Sequence, residues 1–521
     1  MKTYTLGQLY RAVPAEKRER GMYLPPGGRS MGIRIAATKG TGKTRLAGRV
    51  ILWGDFLQGI AQVAIDPVGG LCDEFLDKFR LLSPREQRAL SARVRYIDMA
   101  GGVGTDGRKR VTPFPLYQIE GDESLYAVAQ RYIDIIGRVD PSLSNAPMLG
   151  MNALRPLASD VGAVLAALGW QITEASALLR DPRLYRERIE EAVNRYPEIA
   201  AAATYLLDEY PVLSARDKQL QASSFGSKLH VFSRDPVQRA IFGAGQGIDW
   251  RAVVDRKLTV LLDFSRIQGR EAIQFAILVV YFSLMRFIQR RGPSKSHPPV
   301  GLVIDEITFL LGSPESQSEL GEDLVHLIDR VSRSHNIWLT LIHQELNQIS
   351  PRIEMTLRRC GTQILGSTSD QEAALAVARR FFPYTPHLVK KEDAVYSSYE
   401  GASYVIDERQ TYYSIQEQQE LNSRRIIDLE PFHFLIGISP RDGKLPTTLT
   451  EFSSEDIDRG IYTDPTFVAD AKRKLLQRDG HRMDEVLAEI DGRTPGPAPS
   501  PTGGQHGEQP PKYIPRLPKA N

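Results

Sequence analysis

The stretch ATKGTGKT, Ala37–Thr44, holds residue types that can cradle a phosphate. Gly40 and Gly42 allow a tight turn, so that successive backbone amides can point inward at an anion. Lys43 suits charge balance on the β- and γ-phosphates, and Thr44 suits Mg²⁺ through its hydroxyl. The pattern G-x-x-x-x-G-K-[ST] begins with glycine where this chain has Ala37, a place that needs a small residue rather than a fixed conformation. The expected lining is Thr38, Lys39, Gly40, Thr41, Gly42, Lys43, Thr44 and Arg45. An apolar strand, IRIAA, leads into the loop. A helix over Thr44–Leu57 follows it, bringing its positive N-terminal end to the same point.

A second stretch, GLVIDEITFLL (Gly301–Leu311), carries paired carboxylates at the end of a short apolar run. The carboxyl ends of strands in an open parallel sheet are where ligands sit. Asp305 is expected to bind Mg²⁺ through water, and Glu306 to orient or deprotonate the attacking water. A strand-end cap is the ordinary reading of Asp-Glu here; the phosphate loop upstream favours the catalytic one. In SRSHNIWLTLIHQ, Gln344 stands at the tip of a strand expected beside Asp305, where it can sense a γ-phosphate. Arg333, ahead of that strand, is a candidate arginine finger for a neighbouring subunit, or else a solvated helix-end arginine. His343 is read as a packing or capping residue.

The elements that must position these residues alternate in type. Ile33–Thr38, Val63–Ile65, Val94–Ile97, Leu258–Phe264, Val300–Ile304, Ile337–Ile342, Gln363–Leu365 and Phe434–Ile438 read as strands, with helix-length segments between many of them. That alternation implies an α/β fold with a mainly parallel sheet flanked by helices. Residues 119–240 break the pattern with Ala- and Leu-rich helical periodicity and read as an inserted all-α domain. The expected division is an N-terminal extension (1–30), a nucleotide domain (31–118 with 241–450), the insertion (119–240), a C-terminal helical segment (451–492) and a Pro/Gly-rich disordered tail (493–521).

Composition narrows the class. With 42% hydrophobic and 25% charged residues, the 521-residue chain is of ordinary globular type. Two cysteines, Cys72 and Cys360, indicate no disulfide framework and a reducing, cytoplasmic setting. A net charge of +3 does not by itself argue for nucleic acid. Ala272–Ile288 is the one membrane-like stretch, but its Gln274, Ser283 and Arg286 favour a buried core helix, and no direct membrane insertion is expected.

The order of ATKGTGKT, AIDPVGGL, a helical insertion, VLLDFS, LVIDE and LIHQ resembles the HerA/FtsK superfamily of hexameric P-loop motors. Within it, the likeness is to coupling-protein ATPases of type IV secretion and conjugation (the TraG/TraD type). Asp66-Pro67-Val68-Gly69 matches their Asp-Pro-x-Gly stretch, and Phe114-Pro115-Leu116 is a weaker counterpart of their Asn-Pro-Leu-like turn. Val237–Gly269 and Gly361–Phe381 resemble further segments, so the likeness covers about Met31–Phe381 in patches. The departures are Ala37 and the lack of transmembrane helices at the start. The resemblance implies a RecA-like fold, ATP with Mg²⁺, a ring of six with Arg333 acting in trans, and DNA as the moved polymer. It also implies a relaxase or a secretion-system membrane partner. Arg108-Lys109-Arg110 and Arg290-Arg291 are candidates for a basic pore lining, though solvated surface charge is their plainer reading. An ATP-switched recruitment protein, binding a protein through 119–240 and moving no DNA, remains the alternative.

Overall fold

Nine strands form the central sheet: β1 (Ile33–Ala36), β2 (Ala61–Asp66), β3 (Val94–Asp98), β4 (Thr259–Asp263), β5 (Val300–Ile304), β6 (Ile337–His343), β7 (Thr362–Leu365), β8 (His433–Ile438) and β9 (Thr450–Ser453). Their order across the sheet is β9-β8-β7-β1-β6-β5-β2-β4-β3. The pairings from β7 to β3 are all parallel; β8 and β9 add an antiparallel margin. The computed structural model describes residues 29–119, 121–139, 151–218, 235–311, 324–344, 349–399, 402–439, 449–454 and 462–493, with two short paired strands at Tyr4–Thr5 and Tyr23–Leu24. The tail after Arg493 lies outside these residues, as does most of the N-terminal extension.

The inner strands are short apolar runs, buried along their length as a sheet covered on both faces requires. Helix α1 starts at Lys43–Leu46, passes through a π-helical stretch, Ala47–Leu52, and ends as Trp53–Leu57. One face of the sheet is covered by α1 and Gly70–Asp77, where Trp53, Phe56, Phe75 and Phe79 pack edge to face. Arg49, in the π stretch, is fully buried and pairs with Glu74 and Asp77.

The other face carries α2 (Leu125–Val139), α3 (Met151–Ala167) and α4 (Arg270–Arg291). Among the described residues of 119–240, every element is helical. These helices do not close a core of their own. Val128, Tyr132, Val161 and Leu165 belong to the same apolar cluster as Val63 and Ile65 of β2 and Leu302 of β5. By length and apolar content α4 resembles a membrane span, but positions from Ile273 to Ile288 are largely buried in this shared core.

Several elements were not expected. β9 extends the sheet through Ser453, so 451–453 are strand rather than the start of a helical segment. Only then do Pro465–Asp479 (α6, counting Pro351–Leu357 as α5) and Met483–Arg493 follow as helices. Gly102–Val103, Lys109–Val111 and His481–Arg482 make a small separate sheet. Val389–Tyr399 and Ala402–Tyr412 form a long hairpin that pairs only with itself among the described strands.

Candidate nucleotide site

β1 delivers the chain to the sheet's carboxyl edge, and residues 37–42 form the turn into α1. Gly42 has φ 88°, a backbone that favours glycine, and a Cβ there would fall 2.7 Å from Cε1 of Phe432 and closer still to its Cδ1. Thr38 is tied outward: its N–H donates to the Ser367 carbonyl at 2.9 Å, and its hydroxyl lies 3.1 Å from that of Ser367. Thr41 Oγ1 donates to the Thr38 carbonyl at 2.9 Å and braces the turn. Lys39 and Gly40 are exposed, Thr41 and Lys43 are buried, and Arg45 sits 3.9 Å from Glu74.

The two acidic residues meet this loop. β6 lies between β1 and β5, so Asp305 stands one strand beyond the loop's immediate neighbour. Thr44 Oγ1 donates to Asp305 Oδ2 at 3.3 Å. Burial pushes the Asp305 carboxyl up to about 6, against the pull of Lys43 and the hydrogen bond from Thr44, with Glu306 adding repulsion. Burial lowers the Lys43 ammonium, while Glu306 and Asp305 draw it back. Lys43, Thr44, Asp305 and Glu306 thus form one electrostatic unit.

Glu306 is held in a costly shape. Its φ of 49° is left-handed, rare for a long side chain and worth on the order of 1–3 kcal/mol. Its N–H donates to Asp305 Oδ1 at 3.0 Å, and Thr308 Oγ1 donates to its Oε1 at 2.9 Å. Gln344, half-buried, follows the last residue of β6 and so stands between the loop at the end of β1 and Asp305 at the end of β5.

Arg333 is not brought to this group. It is exposed and precedes β6, at the opposite end of a 7-residue strand, about 20 Å away at ~3.3 Å per residue. Of the basic residues considered for a pore, Arg110 bonds Asp106 and the Gly480 carbonyl, and Arg291 bonds the Pro298 and His335 carbonyls.

Three functional neighbours were not singled out from sequence. Asp66, quoted only for its motif, pairs in register with Asp263, which in turn pairs with Asp98; Ile65 opposite Ile304 brings Asp305 into the same row. Asp66 accepts from the amides of Val68, Gly69 and Cys72 at 3.1, 2.7 and 2.8 Å. Burial, with Asp305 and Asp263 nearby, still pushes it up to about 7. Lys472 of α6 bonds Asp263 at 2.9 Å and Asp73 at 2.6 Å, while Arg266 bonds Asp98 at 2.7 Å. Arg34 is buried in β1, donating to His343 Nε2 at 3.0 Å, Glu354 Oε2 at 2.6 Å and Gln363 Oε1 at 3.4 Å. Phe432 is the third, considered below. An aspartate closing each of four neighbouring strands was a signal within reach; the contacts of Arg34 and Phe432 join segments hundreds of residues apart and were not.

Among the described residues no group of three or more His, Cys, Asp or Glu side chains gathers to hold a metal alone. Thr44 and Asp305 bring one hydroxyl and one carboxylate together, a donor set of the size that would hold Mg²⁺ only jointly with phosphate oxygens.

No family model and no curated protein matches the sequence. Among solved structures, the unbound monoclinic form of the bacterial conjugative coupling protein TrwB is 14% identical, with a TM-score of 0.48, over 90% of this chain and 96% of that one. TrwB with the non-hydrolysable ATP analogue ADPNP is 14% identical, with a TM-score of 0.47, over 88% and 96%. VirB4 of Thermoanaerobacter pseudethanolicus is 12% identical, with a TM-score of 0.46, over 84% and 90%.

Proposed function

We propose that the chain is an ATP-hydrolysing enzyme that binds ATP with Mg²⁺ at the Ala37–Thr44 loop. The observation that carries this is the hydrogen bond from Thr44 to Asp305, with buried Lys43 beside both Asp305 and Glu306. Lys43 balances phosphate charge, and Thr44 and Asp305 hold Mg²⁺, which neutralises charge developing on the phosphates. Glu306 orients or deprotonates the attacking water, and Gln344 reads the γ-phosphate. The paired Asp-Glu suits water as nucleophile rather than a metabolite hydroxyl.

The wider role is a motor that translocates DNA in conjugative transfer or mobile-element movement, as a ring of six in the cytoplasm. Its support is the order of motifs along the chain and the exposed position of Arg333, far from its own loop and free to reach a neighbour's site. A relaxase or a secretion-system membrane protein is the partner such a motor would serve. The deciding assay is ATPase rate with and without single- and double-stranded DNA for wild type, Lys43→Ala and Glu306→Gln. Stimulation by DNA, lost in both variants, is expected. Undiminished hydrolysis by Lys43→Ala sinks the site; hydrolysis indifferent to DNA removes translocation and leaves ATP-switched recruitment.

A further inference from the structure

Phe432 touches the phosphate loop from the far margin of the sheet. It lies between helix Ile415–Ile427 and β8, and its φ of 67° is left-handed, a genuine outlier for a bulky aromatic. Three hydrogen bonds hold it there. Its N–H donates to the Thr41 carbonyl at 2.9 Å, and its own carbonyl accepts from the Ser454 N–H at 2.8 Å and the Ser454 hydroxyl at 2.9 Å. Its half-buried ring covers Gly42 on the side where a Cβ would project.

The geometry has a direct consequence for the loop. In a trans peptide the C=O and the following N–H point in opposite directions, and the chain has no cis bond among its described residues. With the Thr41 carbonyl directed at Phe432, the Gly42 N–H is aimed the other way, off the face that Phe432 covers. An inward amide is what an anion-binding nest requires. The ring, closed against Gly42, blocks the loop from flipping that peptide outward.

We propose that Phe432 is a positioning residue that presets the phosphate loop for the triphosphate of the nucleotide. The inference rests on the nucleotide reading of the loop above. The strained backbone at Phe432 is retained because it spans Thr41 on one side and Ser454 on the other. Ring and strain are separable by substitution: glycine removes both, leucine removes the ring and keeps the strained backbone, and tyrosine keeps both.

The test is binding of a fluorescent ATP analogue with Mg²⁺, beside thermal unfolding, for wild type, Lys43→Ala, Phe432→Gly and Phe432→Tyr. Wild type binds and Lys43→Ala does not. Phe432→Gly is expected to bind about tenfold more weakly with an unfolding midpoint equal to or above that of wild type, and kcat at saturating ATP unchanged. Phe432→Tyr restores binding. Should the glycine variant not fold, Phe432→Leu carries the same comparison. Wild-type affinity without the ring overturns the proposal, as does a tyrosine variant as weak as the glycine one. Failure of wild type to bind removes the nucleotide reading itself, a result that the Phe432 variants alone cannot give.

Discussion

Thr44 and Asp305 are 261 residues apart in sequence, and their side-chain oxygens lie 3.3 Å apart. β6 separates the strands that lead into them, β1 and β5, so the contact exists only when three parallel strands are in register.

Glu306 sits where a non-glycine backbone is strained, so chemistry and stability should respond differently to substitution. Glu306→Gln is expected to bind ATP while turnover falls by roughly 10²–10⁴. Glu306→Ala and Glu306→Gly should both lose turnover, with the glycine variant more stable than the alanine one by about 1 kcal/mol. Steady-state hydrolysis and urea unfolding read these separately; equal stability of the two variants would show that the left-handed backbone costs nothing.

Asp66 should give the nucleotide-free protein a pH dependence. Its folded pKa of about 7 lies above the ordinary 3.8. The stabilising contribution is therefore complete below about pH 4 and lost as pH rises through 7, a shift on the order of 4 kcal/mol. The unfolding midpoint is expected to fall between about pH 4 and pH 7, with Asp66→Asn flattening most of the slope. A variant that keeps the full slope assigns it to another group.

Arg34 and Glu354 form a buried pair that should be costly to break from one side. Glu354→Ala leaves the Arg34 cation uncompensated, with an expected loss of about 3–5 kcal/mol in urea unfolding. Removing both charges, as in Arg34→Met with Glu354→Leu, should recover most of it. Recovery of less than half would mean that the bonds to His343 and Gln363 matter more than the ion pair.

Arg333→Ala is expected to leave thermal stability within about 0.5 kcal/mol of wild type, as for an exposed side chain. In a ring, the same change should abolish hydrolysis, and mixing with Lys43→Ala should partly restore it. An Arg333→Ala protein that hydrolyses normally by itself excludes the trans-acting finger.

What could be read from the sequence was whatever is local and periodic. The strand IRIAA, the glycines of the loop and the apolar run into Asp305-Glu306 each announce themselves within ten residues. The α4 helix could be judged a core helix because Gln274, Ser283 and Arg286 interrupt an otherwise apolar stretch. The hairpin Val389–Tyr412 was missed because Lys, Glu, Asp and Ser crowd its strands, masking alternation. Phe432 sits in DLEPFH, a stretch with no pattern; only the return of β8 and β9 to the sheet beside β7 brings it to Gly42.

The strand order also governs how the chain can be made. β1, with the loop attached, emerges early from the ribosome, but its only sheet neighbours are β6 and β7, which begin at Ile337 and Thr362. Until about two thirds of the protein has been synthesised, this apolar strand has no edge to join. A nascent or prematurely ended chain therefore displays an unpaired strand beside a half-built loop, the kind of surface that aggregates unless chaperones shield it. Acquisition of the nucleotide site is a late event in biogenesis, although its first residues are among the earliest translated.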